Sequence, residues 1–541
     1  MAQSSDAAAG GSGDLLDSGA AAPNTNDDGL RWTGRPAGGL IDDLRRRAPS
    51  YVDDFVQGIH TKVLGSTLFL YFACLANAIA FGALMGFLTD GQIGTTEMMI
   101  ATAVGGIAFA LFSGQPLTIL GGTGPIVIFT ALLYTTSNDL GIEFLPVYAW
   151  VGVWSGVLLM LLAVTDASAL MRFFTRFTDE IFAALIAVIF IVEAVTDISA
   201  GFTDDNTPYD AALLGLVLAI GTFVVARTLQ WFRNSPYLRW WVRDFLADFG
   251  PAISIIVMTL IAILMNEVPR NHAQVPETFG TTTGRPWMVD MFSVPTWVWV
   301  ASAVPAILAV VLLFLDQNIT TRLVNAKHHK LKKGSGYHLD LFIVGLIVLV
   351  GSIFGLPWIV AATVHSLNHV RSLATHRVVD DGGQVREEIV SVRENRVSPL
   401  LVHVLIGASL MFLPLVAQIP MSVLFGLFLF MGFATLAGNE FFERVRMWVM
   451  DPRLYPESHH FMGKVPIKVV HAFTAIQVAC LAALWALKSS ALGLLFPVLI
   501  AMLVPIRRAL PKFFDREHLA ALDEEEDAEV FEETGGGRLG P

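Results

Sequence analysis

The residues of this chain best suited to chemistry lie at the edges of apolar runs. Asp316 closes the stretch from Trp297 to Leu315 and is followed by Gln317-Asn318-Ile319-Thr320-Thr321. Asp316 and Thr320 are spaced i, i+4, so they share one face of a helix. A carboxylate at the centre of a membrane helix costs roughly 2.5–3.5 kcal/mol on insertion scales. It therefore marks an ion site, unless it stands where the helix reaches water; position alone leaves both readings open. A carboxylate with threonine oxygens, those of Thr320 and Thr363, suits a small hard cation such as Na⁺ and no soft metal. The competing roles are helix-end polarity for Asp316 and Thr320, and back-bonding to the i−4 carbonyl for Thr363.

His365 and His369 stand at metal-ligand spacing, but neither an HExxH glutamate nor a cysteine pair accompanies them, so zinc is not expected. Either ring can be a hydrogen-bonded interior histidine; His365 can also offer a positive or proton-donating group to an anion. Glu193 reads as a helix-packing group, and Asn77 and Gln115 as candidates to line a polar cavity. No phosphate loop, nucleophile elbow or dinucleotide fingerprint is visible, so no cofactor and no enzymatic activity are expected. Uphill transport would have to draw on an ion gradient.

These groups must be positioned by membrane helices. The chain is 54% hydrophobic, with a mean hydropathy of +0.60, which points to an integral membrane protein. Fourteen apolar segments are expected near 64–88, 96–112, 115–134, 146–164, 179–196, 210–231, 249–265, 297–324, 340–354, 356–371, 399–416, 421–437, 467–487 and 490–506. With both termini cytosolic, 32 of the 35 lysines and arginines fall inside, leaving only Arg270, Arg285 and Lys488 outside. A wrong segment count would scramble that asymmetry. The transmembrane domain is expected over 51–515. Residues 1–50 read as a disordered cytosolic tail without a signal peptide, and 516–541 as an acidic cytosolic tail. Cys74 and Cys480 lie in apolar segments as packing residues. No nucleic-acid partner is expected.

Fourteen divides into seven plus seven of opposite orientation, the arithmetic of an inverted repeat. Gly121-Gly122-Thr123-Gly124-Pro125 breaks the third segment, and Phe354-Gly355-Leu356-Pro357-Trp358 opens the tenth. The halves start near 64 and 297, an offset of about 233 that carries residue 121 onto 354. Two half-helices whose N-termini face the midplane would present free N–H groups and positive dipole ends, a setting for an anion. The alternative is that the breaks mark only kinks or close packing.

Long collinear stretches carry a resemblance. They include Leu111-Phe-Ser-Gly-Gln-Pro-Leu-Thr-Ile-Leu120, Thr123-Gly-Pro125, Phe174-Thr-Arg-Phe-Thr178, Asp316-Gln-Asn-Ile-Thr320, Leu331-Lys-Lys-Gly-Ser-Gly-Tyr-His-Leu-Asp340 and Leu356-Pro-Trp-Ile-Val-Ala-Ala-Thr-Val364. Over residues 50–520 the chain resembles the bicarbonate transporter family of anion exchangers and sodium–bicarbonate cotransporters. The resemblance implies a seven-plus-seven fold with a core of segments 1–4 and 8–11 and a gate of segments 5–7 and 12–14. It implies a homodimer, an elevator-like movement and a plasma (inner) membrane location. The large cytosolic domain of the animal members has no counterpart in residues 1–50, which points to a microbial member. Asp316, Thr320 and Thr363 match the sodium-coordinating residues of the coupled members. His365 stands where exchangers carry arginine and coupled members an apolar residue, and Thr130 replaces a family glutamate. The expected function is Na⁺-coupled transport of bicarbonate or carbonate, with Na⁺ on Asp316, Thr320 and Thr363. The anion is expected around Thr123, Gly124, Pro125, Ala362, Val364 and His365. The alternatives are chloride/bicarbonate exchange and borate export.

Overall fold

The computed structural model describes residues 29–524, apart from 206, 266, 270, 273–274, 277–278, 382–383, 438, 456–458 and 460. The protein is built from apolar helices, and its outward faces are apolar too. On the helix Tyr209–Trp231, Leu213, Val217, Ile220 and Val224 are all exposed. They form a stripe at helical spacing that water would not tolerate but acyl chains would. Among the described residues nine helices are long and apolar enough to cross a membrane, or eleven if each of two bent pairs is one span. The other three expected segments hold the shorter helices Gly124–Asp139, Tyr337–Ile353 and Thr363–Leu373. Length and composition thus support nine to eleven of the fourteen spans.

The two short helices that matter most each follow a two-residue strand. Strand β1 (Leu120–Gly121) precedes the first half-helix, Gly124–Asp139, and strand β2 (Val360–Ala361) precedes the second, Thr363–Leu373. The strands pair antiparallel, Leu120 opposite Ala361 and Gly121 opposite Val360. Equivalent elements of two repeats can pair antiparallel only if the repeats run in opposite directions, so the pairing is the inverted repeat at its centre. The half-helices start at Gly124 and Thr363, an offset of 239 (363 − 124). The expected offset of about 233 is therefore corrected. Phe354–Trp358 forms the turn before β2, not the start of the second half-helix.

Local chemistry explains the first start. Thr123 is extended (φ −128°, ψ 149°) and Pro125 occupies the first turn, where its missing N–H costs nothing. Gly124 is required for close approach, because a Cβ there would stand 2.8 Å from the Phe190 ring. Phe190 in turn packs in a three-ring cluster with Phe81 and Phe428, at centroid distances of 5.6 and 5.7 Å.

The extended segment leading to β1 is held by buried polar groups. Asp340 accepts from Gly114 N (2.7 Å) and Gln115 N (3.0 Å). The Arg396 guanidinium donates to Ala110 O (2.8 Å) and Ser113 O (2.7 Å) at the C-terminus of the helix Thr95–Phe112, where carbonyls lack helical partners. Its charge is compensated by Asp54 at 3.2 Å, as a fully buried cation requires.

Of the disordered tail expected over 1–50, residues 1–28 lie outside the described residues, and the expectation is corrected only beyond them. Residues Gly38–Arg47 form a helix. Asp43 accepts from His338 N (2.7 Å) and Leu339 N (3.1 Å), capping the helix Tyr337–Ile353, and Asp166 accepts from Thr33 N and Gly39 N. The polar composition that suggested disorder instead supplies long-range caps. At the other end, Arg516–Asp523 is helical, and Asp523 pairs with Arg507 (2.5 Å).

Candidate ion-binding site

The helix Ala303–Val324 lies against both half-helices. Asp316 and Thr320 lie one turn apart on it, and each reaches a different half-helix. Thr123 Oγ1 donates to Asp316 Oδ2 at 2.7 Å. Thr320 Oγ1 and Thr363 Oγ1 share a hydrogen bond at 2.6 Å. Thr320 Oγ1 also donates to Ala361 O at 3.3 Å. Asp316 is 6% exposed and Thr320 is fully buried. This excludes the reading in which Asp316 merely marks a helix end in water. Carboxylate and hydroxyl oxygens converge where the half-helices meet, and among the described residues no group of three His, Cys, Asp or Glu side chains does so. Such a donor set matches a small hard cation.

The half-helix starts supply the complementary charge. The first intrahelical bonds are Val127 N to Thr123 O (3.2 Å) and Ser366 N to Ala362 O (2.9 Å). The N–H groups before them, those of Gly124 and Ile126 and of Thr363, Val364 and His365, belong to the turn that a helix leaves unpaired. Gly124, Pro125 and Ala362 are buried, Thr123, Thr363 and His365 are half-buried, and Val364 is 61% exposed, which leaves the second start accessible. The structure thus brings Thr123, Gly124, Pro125, Ala362, Thr363 and Val364 to one crossing point beside Asp316 and Thr320. The Thr123 side chain, expected with the anion, pairs with the carboxylate.

His365 bonds to the backbone of the helix Thr61–Leu88. Its Nε2 donates to Ala73 O at 3.3 Å. His369 bonds Leu117 O (2.8 Å) and Ser398 Oγ (2.6 Å), as an interior histidine does. Asn77 holds the first break through Gly122 O (3.2 Å), Gln115 pairs with Asn325 (2.8 Å), and Glu193 pairs with Lys488 (2.8 Å). Thr130 back-bonds to Ile126 O (2.9 Å).

Sequence reasoning passed over Gln317. Fully buried, it accepts from Ala361 N at 3.0 Å and donates to Thr321 Oγ1 at 3.3 Å. Its signal was a second polar residue beside Asp316 on a face with no route to water. It also passed over Tyr148, whose ring stacks on Trp358 (4.5 Å between centroids, 7° between planes) and whose hydroxyl donates to Leu356 O.

The family model for the HCO₃⁻ transporter integral membrane domain matches residues 35–208 and 200–527. The Band 3 anion transport protein of Rattus norvegicus is 36% identical over 97% of this chain and 59% of its own length. The electrogenic sodium bicarbonate cotransporter 1 of Oryctolagus cuniculus is 36% identical over 92% of this chain and 53% of its own length. The chain thus spans just over half the length of these relatives. Both are animal proteins, which gives the expected microbial source no support. Among solved structures, the transmembrane domain of the cyanobacterial bicarbonate transporter BicA matches with a TM-score of 0.55 at 16% identity, over 81% of this chain and 98% of that one. The murine Solute Carrier 26 family member A9 anion transporter matches with a TM-score of 0.56 at 13% identity, over 88% and 71%. At these identities the likeness shows the fold alone.

Proposed function

The chain belongs to the HCO₃⁻ transporter family, and we propose that it is a Na⁺-coupled bicarbonate or carbonate transporter. The relatives are transporters, not enzymes. One observation carries the coupling: the Asp316 helix meets the first half-helix through Asp316–Thr123 and the second through Thr320–Thr363. Na⁺ would take the oxygens of Asp316, Thr320 and Thr363. The anion would take the half-helix starts around Thr123, Gly124, Pro125, Ala362 and Val364. In a low-dielectric site each ion lowers the cost of burying the other, and that mutual stabilisation is the coupling.

The site would move as a unit. Segments 1–4 and 8–11 form the proposed core, and segments 5–7 and 12–14 the proposed gate. Among the contacts that join them, Arg322 of the Asp316 helix pairs with Asp179 of the helix Arg176–Thr203, and Phe190 of that same helix packs on Gly124. An elevator-like displacement would have to break the ion pair and slide the ring. The charge asymmetry supports cytosolic termini in a plasma or inner membrane. The family resemblance supports a homodimer.

Chloride/bicarbonate exchange is the second reading, because an anion transport protein matches as well as the sodium cotransporter does. Labelled bicarbonate flux into liposomes holding the purified protein separates them. Flux that requires Na⁺ and not chloride is expected. Flux that requires trans-chloride and proceeds without Na⁺ would establish exchange.

A further inference from the structure

Gln317 holds the second half-helix through the peptide just before it. Ala361 is the last residue of β2 and sits two positions before Thr363. Its N–H donates to Gln317 Oε1 (3.0 Å), and its carbonyl accepts from Thr320 Oγ1 (3.3 Å). Both polar groups of one peptide residue therefore bond to side chains of the Asp316 helix. On the other side of β2, Ala362 N donates to Ile119 O (2.8 Å) and Ala361 faces Leu120 of β1. Gln317 and Thr320 thus close the open edge of a two-stranded ladder, where a third strand would otherwise stand.

The Gln317 amide has little freedom to move. Its Nε2 donates to Thr321 Oγ1 (3.3 Å), and that hydroxyl donates to Gln317 O (2.9 Å). Acceptor and donor ends are both spoken for, so the side chain is braced as well as buried. Because Gln317 follows Asp316 directly, any change in its reach would shift Ala361 relative to the carboxylate. Thr363 and the first-turn N–H groups of the half-helix would shift with it.

We propose that Gln317 is a positioning residue of the transport site: it sets affinity for the carried anion by fixing the start of the second half-helix against the Asp316 helix. This rests on the function proposed above. Gln317→Met keeps the length of the side chain and removes the acceptor. Gln317→Glu keeps an oxygen in reach of Ala361 N and, when protonated, a donor toward Thr321.

The test is bicarbonate flux in proteoliposomes at saturating Na⁺, paired with amide hydrogen exchange at Ala361. Gln317→Met should raise the half-saturating bicarbonate concentration by about tenfold, the size of one buried hydrogen bond, with a much smaller change in maximal rate. It should also speed exchange at Ala361, and Gln317→Glu should restore both. If Gln317→Met does not reach the membrane, Gln317→Asn, one methylene too short to reach Ala361, gives the same readouts. An unchanged half-saturation, or a fall in maximal rate alone, would overturn the proposal and leave Gln317 a packing residue. If the wild type carries no bicarbonate, the functional reading fails, and exchange at Ala361 still decides: unchanged protection in Gln317→Met overturns the positioning role.

Discussion

Thr123 Oγ1 donates to Asp316 Oδ2 at 2.7 Å across 193 residues of sequence, so the N-cap residue of one half-helix is bonded to the carboxylate on the helix that braces the other. A hydrogen bond to a charged group contributes about 1.5–3 kcal/mol. Thr123→Val is expected to raise the Na⁺ concentration for half-maximal uptake by about tenfold or more. Thr123→Ser should stay near wild type. Sodium titrations of uptake in the three proteins check this; an unchanged titration in Thr123→Val would detach Thr123 from the cation site.

Thr363 is expected to behave as a ligand. Thr363→Ala removes one oxygen and leaves Thr320 its bond to Ala361 O. Loss of Na⁺ affinity with surface expression retained is the expected outcome, with recovery in Thr363→Ser. Thermal stability of the detergent-solubilised protein should change by about 1 kcal/mol or less, since one neutral hydrogen bond is lost.

Gly124→Ala places a methyl group 2.8 Å from the Phe190 ring, which is packed against Phe81 and Phe428. Overpacking of this kind costs about 1–3 kcal/mol. Transport should fall sharply, and the pair Gly124→Ala with Phe190→Leu should recover part of it. Equal loss in single and double variants would show that the ring is not the obstacle.

Arg322 pairs with Asp179 and donates to Phe174 O at 2.7 Å, linking the proposed core to the proposed gate at the end that carries the termini. Arg322→Gln should ease access of membrane-impermeant thiol reagents to a cysteine placed at Val364 when they are applied from the terminal side. Asp179→Asn should do the same, and the double variant should add little, as expected of partners in one contact. Additive effects would show two separate roles.

Burial raises the Asp43 carboxyl to about 7, against the pull of Arg46 and of the Leu339 and His338 N–H groups. The folded chain then holds this proton more tightly than the unfolded chain, whose reference value is 3.8. Stability from Asp43 is therefore greatest at acid pH, declines as pH rises from about 4 to about 7, and is level above that. In Asp43→Asn that decline should be absent. Melting temperatures of both proteins from pH 4 to 8 measure it, and parallel curves would contradict the assignment.

Much of this was legible in the chain, and what was not has a physical reason. Apolar runs and the placement of lysines and arginines announce membrane helices, because lipid enforces both. The first half-helix is legible because its start is local: Gly124 gives close approach, and Pro125 fits a first turn. The second is not, because no local signal marks Thr363. Its start is imposed by Gln317 and Thr320, more than 40 residues away, and by pairing with β1. The turn at Gly355, with φ of +62°, was the stronger sequence feature and drew the boundary too early. Residues 38–47 looked disordered for a similar reason. Their partners, His338, Leu339 and Asp166, lie far along the sequence.

Sodium-dependent bicarbonate uptake by Asp316→Asn in proteoliposomes, beside wild type at matched protein content, tests the central claim most directly. The substitution keeps the shape of the side chain and an oxygen for Thr123, and removes the charge that would hold Na⁺. Uptake should lose its dependence on Na⁺ and fall to the level of empty liposomes. Undiminished Na⁺-dependent uptake would contradict the assignment of Asp316 to the cation.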